Sequence, residues 1–190
     1  MTLNSISGRF ALLTIVFVLL AEVLILVPSV TGFRRDYLAT RLERAQIASL
    51  ALLATDESIA ADLESELLEN AGVFNVVLRR DDVRQLVLSS KLPRPISATY
   101  DLRETGWPRA VRDTLHDLVN ARPEIIRVIG QPVRQAGQLI EITMDTAPMR
   151  TAMIDFTLRL LAVSAAFSVL TALLLNLATQ RLIVGPIRRV

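Results

Sequence analysis

The chain contains no cysteine. That excludes disulfides, zinc–thiolate sites and thiol nucleophiles, and it leaves the redox compartment open. Histidine occurs once, as His116. None of the patterns G-x-x-x-x-G-K-[ST], G-x-G-x-x-G or H-E-x-x-H is present. The sequence signs of a P-loop, a dinucleotide fold or a zinc protease are therefore missing, and no catalytic constellation replaces them. Lysine is scarce, so the basic residues are almost all arginine, which we read as genome composition. The middle of the chain is nearly balanced in charge, so it carries no nucleic-acid footprint. These absences predict a chain with no catalytic residues, no metal site and no cofactor of its own.

What the chain has is apolar sequence: 52% of its 190 residues are hydrophobic. Two runs account for this. Phe10 to Val30, "FALLTIVFVLLAEVLILVPSV", has Glu22 as its only ionisable residue. Leu160 to Gln180, "LLAVSAAFSVLTALLLNLATQ", lies between Arg159 and Arg181. Each is close to the roughly 20 residues that cross a ~30 Å hydrocarbon core as a helix. The first run is too long for a signal-peptide core of about 7–15 residues, and no A-x-A-like site follows it. Both runs are read as membrane anchors. The first is flanked on its far side by Arg34, Arg35, Arg41 and Arg44, against Arg9 before it. That charge bias opposes a cytoplasmic N-terminus. The segment between the runs exceeds about 60 residues, however, and such segments translocate largely regardless of charge. Arg181, Arg188 and Arg189 after the second run favour a cytoplasmic exit. Both termini are expected in the cytoplasm and the middle outside. Glu22 is expected to face a helix bundle and bond Ser164, Ser168 or Thr171, since an intramembrane ionisable residue is costly against lipid.

The first run continues into helix-forming sequence. Leu38, Leu42, Ala45, Ser49 and Leu52 recur at spacings of 4, 3, 4 and 3, a heptad stripe. It serves either packing on the chain's own domain or a parallel homodimer. A second helix is expected from Asp56 to about Glu69, stopped by Asn70-Ala71-Gly72. Val73–Leu78 and Val83–Leu88 read as a β-hairpin around Asp81-Asp82. Pro93 and Pro95 argue against regular structure in the stretch that follows. "WPRAVRDTLHDLVNA" is a helix with Pro108 near its start, its apolar face formed by Val111, Leu115, Leu118 and Val119. "EIIRVIGQPV" and "QLIEITMDT" are two further strands, turning at Gln135-Ala136-Gly137. The simplest packing is an antiparallel sheet with helices on one face. His116, between Asp113 and Asp117, reads as a solvated helix residue. Candidate ligand contacts are Arg79, Arg84, Tyr100, Trp107, Arg109 and Arg127. The plainer reading of each arginine is a solvated surface residue.

This element order resembles the extracytoplasmic PAS-like sensor domains of PDC or Cache type, which bind small ligands between sheet and flanking helix. The end of the chain carries a sharper likeness. "APMRTAMIDF", with Pro148-Met149-Arg150, runs into the second apolar segment, and "GPIRRV", with Pro186-Ile187-Arg188-Arg189, follows it. This resembles the second transmembrane segment and HAMP entry of alphaproteobacterial sensor histidine kinases. Gly185 departs from that pattern, where a basic or larger residue is expected. The resemblance implies an α+β membrane protein. Residues 1–9 form a cytoplasmic tail, 10–32 the first transmembrane helix and 33–155 a periplasmic PAS-like domain. Residues 156–180 form the second transmembrane helix and 181–190 the start of a truncated HAMP helix. It implies a receptor in the bacterial inner membrane, homodimeric, with a small ligand, an anionic one among the candidates. A kinase core outside this chain would use ATP and magnesium and address a response regulator. Gly185 and Pro186 would form the joint through which the signal leaves. An input half of a chemoreceptor or diguanylate cyclase, or a non-signalling bitopic scaffold, is the alternative.

Overall fold

The computed structural model describes residues 6–53, 61–80, 83–132 and 139–179. Its elements are α1 (Ile6–Leu53), α2 (Ala61–Ala71), β1 (Asn75–Arg80), β2 (Val83–Ser89), β3 (Ile96–Asp101), α3 (Trp107–Val119), β4 (Ile125–Gly130), β5 (Leu139–Asp145) and α4 (Thr146–Thr179). The chain divides into two compact units, Met1–Met153 and Ile154–Val190. The first holds the α+β domain. The second continues α4.

Helix α1 runs for 48 residues, about 72 Å at 1.5 Å per residue. It continues through Pro28, which has no N–H to offer the carbonyl of Leu24. Near that point Ser29 Oγ donates to Ile25 O at 2.7 Å and Thr31 Oγ1 to Val27 O at 2.8 Å. Within α1, a 40-residue stretch from Leu12 to Ala51 contains a window of sufficient length and hydropathy to cross a membrane; within α4, Thr146–Thr171 does the same. The side chains of the first run, from Leu12 to Leu20 and again from Val23 to Ile25, are exposed.

Beyond the apolar run, α1 packs on α2, α3 and the strands β1, β2, β4 and β5. Leu38, Leu42, Ala45 and Ser49 are buried there. The heptad stripe is thus packed within the chain's own domain, the first of the two readings its spacing allows. Leu52 lies in α1, with its side chain outside those described. Gly130, at the end of β4, makes room for this packing: a Cβ there would come 2.5 Å from Leu42 Cδ1.

The sheet has the order β2-β1-β5-β4-β3. β1 pairs antiparallel with β2 and β5, and β4 antiparallel with β5. β3 pairs parallel with β4. The antiparallel sheet expected from sequence is therefore corrected to a mixed one. The reason is α3, which carries the chain back across the sheet between β3 and β4, as parallel neighbours require. β3 itself was not expected. Its prolines, Pro93 and Pro95, precede Ile96 and leave the strand intact, and an edge strand tolerates proline at its start. The core is Val76, Leu78, Ile126, Val128, Ile140, Ile142 and Met144 from the strands, with Met149 and Met153 from the start of α4.

Helix α2 ends where its sequence says it should. Gly72, at φ 67°, takes the left-handed conformation, and Val73 N–H donates to Leu68 O at 3.0 Å while Gly72 N–H donates to Glu69 O at 2.9 Å. Arg41 of α1 completes this end, its Nη1 donating to Ala71 O at 3.0 Å. A Cβ on Gly72 would sit 1.9 Å from Arg41 Nη1. Gly72→Ala is expected to lower stability by about 1–2 kcal/mol for the left-handed backbone alone, with the displaced Arg41 adding to it. A urea midpoint followed by circular dichroism measures this. An unchanged midpoint would mean that the α2 terminus contributes nothing to the fold. The expected start of α2 at Asp56 and the turns at Asp81-Asp82 and Gln135–Gly137 lie outside the described residues.

Candidate functional site

Helix α3 does not bury the face its sequence suggests. Asp113, Thr114 and Asp117 are buried, while Leu115 and Val119 are exposed. This corrects the expected apolar inner face of Val111, Leu115, Leu118 and Val119. The cause is a partner on α1. Arg34 Nε donates to Asp117 Oδ2 at 2.6 Å, and the two residues are 4% and 7% exposed. A buried arginine needs a carboxylate, so α3 turns its acidic side inward. The guanidinium carbon of Arg34 also lies 4.5 Å from the centroid of the Tyr100 ring on β3, within cation–π range. One donor is left over. Arg34 Nη2 is buried and has no hydrogen-bond partner among the described residues.

Around this group is a cavity of about 230 Å³, lined by Thr31, Gly32, Arg34 and Arg35 of α1, by Tyr100, Leu102 and Thr105, and by Trp107, Ala110 and Thr114 of α3. Its three threonine hydroxyls donate elsewhere: Thr31 to Val27 O, Thr114 to Ala110 O and Thr105 to Asp101 O. Donors on lining residues are the guanidinium groups, the Tyr100 phenol and the Trp107 indole. Among the described residues, no carboxylate lines the cavity. Burial pushes the Tyr100 phenol above its ordinary value; Asp117, Asp113 and Glu124 push it the same way, and Arg34 opposes them. Tyr100 is thus held as a neutral donor. Just past Tyr100, the turn after β3 is held by Asp101, which accepts from the Arg103 backbone at 3.0 Å and from its Nη2 at 2.7 Å. The Arg103 hydrogen bonds hold the Asp101 carboxyl below its ordinary range.

Of the residues singled out from sequence, Tyr100 and Trp107 meet at this cavity. Arg109 lines an adjoining polar recess that Tyr100 also borders. Arg127 is elsewhere. It pairs in register with Thr99, so it points to the sheet face opposite Tyr100, and its Nε is 3.9 Å from Glu141 Oε2. Arg79, exposed on β1, and Arg84 on β2 are register partners at the far side of the sheet; the side chain of Arg84 is outside those described. His116 is exposed, as a solvated helix residue is, with Nδ1 3.6 Å from Asp117 Oδ1. Glu22 lies in α1, and Ser164, Ser168 and Thr171 lie in α4, where Thr171 Oγ1 donates to Phe167 O at 2.8 Å. Gly185 and Pro186 are outside the described residues.

Arg34 and Asp117 were missed, although the signal existed. Stepping back four residues from Leu38 along the heptad stripe lands on Arg34. A charged residue on a buried stripe asks for a partner, and Asp113 and Asp117, four apart on one helix face, supply one.

The class of molecule is an α+β domain with a five-stranded mixed sheet, whose first and last helices are long and apolar enough to cross a membrane. No family model matches the chain, no curated protein matches it and no solved structure matches it.

Proposed function

We propose that this chain is the input module of a membrane receptor of the sensor-histidine-kinase type. Its two apolar helices cross the bacterial inner membrane, and the α+β domain, PAS-like in its sheet flanked by helices, faces the periplasm. A small molecule entering the cavity around Arg34 shifts α1 against α3, and α1 and α4 carry the shift across the bilayer. A HAMP linker, entered at Gly185-Pro186, relays it to a kinase core that uses ATP and magnesium and addresses a response regulator. The working receptor is a homodimer. The parallel β3–β4 pair departs from the antiparallel sheet first expected of the PAS-like domain.

The observation that carries this reading is that the cavity is built on α1 itself. Arg34 stands four residues after Val30, in the same unbroken helix as the first apolar run. A ligand that contacts Arg34 acts directly on a candidate membrane helix. It can bias that helix only through its different affinity for two arrangements.

The test is a chimera in which residues 1–190 replace the matching half of a HAMP-containing histidine kinase with a known transcriptional output. Tyr100→Phe, which keeps the ring over Arg34, and Arg34→Gln should both move basal output several-fold in the same direction. Arg79→Gln, on the far side of the sheet, should leave it unchanged. Equal output from all four chains would overturn the receptor reading.

A further inference from the structure

Helix α3 has three sides. Asp113, Thr114 and Asp117 are buried, with Asp117 bonded to Arg34 of α1. At about 100° per residue, Trp107, Val111, Leu115, Leu118 and Val119 gather on one flank. Arg109, Arg112 and His116 gather on the other. The apolar flank is open: Trp107 is 55% exposed, Leu115 47% and Val119 82%. Apolar side chains gathered on one exposed side of a helix mark a surface that contacts protein or membrane.

The position of α3 along α1 says what covers it. Asp117 holds Arg34, four residues beyond Val30, where the first apolar run ends. Four residues of helix rise about 6 Å. The headgroup layer of a bilayer is roughly 5–8 Å deep on each side, the difference between a ~30 Å core and a 40–45 Å total. The two flanks also differ in their neighbours. Trp107 and Ala110 border a cavity with Thr31 and Gly32, the residues of α1 next to the apolar run. Arg109 and Arg112 border a recess with Ala98, Thr99 and Asp101 of β3. The Trp107 end of the apolar flank is therefore beside the residues that follow the apolar run, and Arg109 and Arg112 are beside β3.

We infer that α3 is an interfacial helix whose apolar flank lies in the outer surface of the bilayer, with Trp107 as its anchor. The inference rests on the proposed membrane crossing of α1. Helices with one apolar and one charged side bury their apolar side about 5–10 Å into the headgroup boundary, and tryptophan is enriched at that depth. The occupant of this face is lipid. The Arg34–Asp117 pair then ties a helix in the membrane surface to a helix crossing the membrane. The ligand cavity lies between them, and Trp107 borders both the cavity and the lipid.

The chain supplies its own probe, because Trp107 is its single tryptophan. The full chain is placed in phosphatidylcholine nanodiscs, and Trp107 emission is compared with and without lipid brominated on the acyl carbons nearest the headgroup. Emission should be blue-shifted, lose most of its intensity with brominated lipid and resist quenching by aqueous iodide. Quenching by iodide without quenching by brominated lipid would place α3 in water and overturn the inference. Protection from both would mean that protein, such as a second copy, covers the flank, and would also overturn it. In Leu115→Glu/Val119→Glu, with circular dichroism unchanged, quenching by brominated lipid should be lost. Its persistence would show that the flank does not hold Trp107 in lipid. Alkaline extraction of vesicles separates this failure from that of the parent reading. A chain released by alkali is not membrane-crossing, and both readings fall. A retained chain with Trp107 in water removes the interfacial helix alone.

Discussion

Replacing Asp117 by alanine should destabilise the domain by about 3–5 kcal/mol, the range for breaking a buried ion pair from one side. Arg34 would keep its charge in a site where it is 4% exposed, with Nη2 already lacking an acceptor. Asp113, the other buried acid on this face, has Arg112 Nη2 at 3.3 Å and offers only partial compensation. Asp117→Asn should cost less, because its amide oxygen still accepts from Nε. The double variant Arg34→Met/Asp117→Leu should recover most of the loss, since it removes both charges and keeps the volume. The measurement is the urea midpoint in detergent micelles, followed by Trp107 emission, with the m-value checked for constancy. A loss below about 1 kcal/mol, the size of a surface pair, would mean that the pair is hydrated and that the account of α3's orientation is wrong.

Leu38→Ala should cost about 2–5 kcal/mol, the range for emptying a buried leucine site. Leu38 is fully buried between α1 and its own sheet. Its loss should not depend on protein concentration, because the cavity opens within one chain. A leucine in an interchain seam behaves differently, since dimer stability follows mass action. Ile47→Ala, on the exposed side of α1, should stay within about 0.5 kcal/mol. Unfolding midpoints over a hundredfold range of concentration decide the matter. A Leu38→Ala effect that vanishes on dilution would restore the heptad stripe to a dimer and remove it from the core.

The parts of this fold that were legible in the sequence are those whose cause is local. The two apolar runs, the stop at Gly72, the first hairpin and the strands of Ile125 and Leu139 each announce themselves within a few residues. β3 was obscured because Pro93 and Pro95 signal irregularity, and nothing nearby shows that they end before the strand begins. The parallel pairing was obscured because it depends on where α3 returns the chain. Periodicity misled at α3. The usual rule buries the apolar face, but a charge on α1, more than eighty residues earlier in sequence, turned the acidic face inward. The candidate site was half legible for the same reason. Tyr100 and Trp107 stand out as amphipathic residues in a loop-rich stretch, whereas Arg34 looks like one more flanking arginine until its heptad position is counted.

The join between β5 and α4 has no spare residue: the strand ends at Asp145 and the helix begins at Thr146. Most connections in a protein can gain or lose a residue, and natural variation drifts freely through them. This one is geared. Each residue inserted turns the helix by about 100° and advances it by about 1.5 Å, swinging Met149 and Met153 off the core they now fill. The length of this junction should stay fixed in sequences descended from a common ancestor, even where surface loops change. Anyone grafting this domain onto another helix must match phase as well as position.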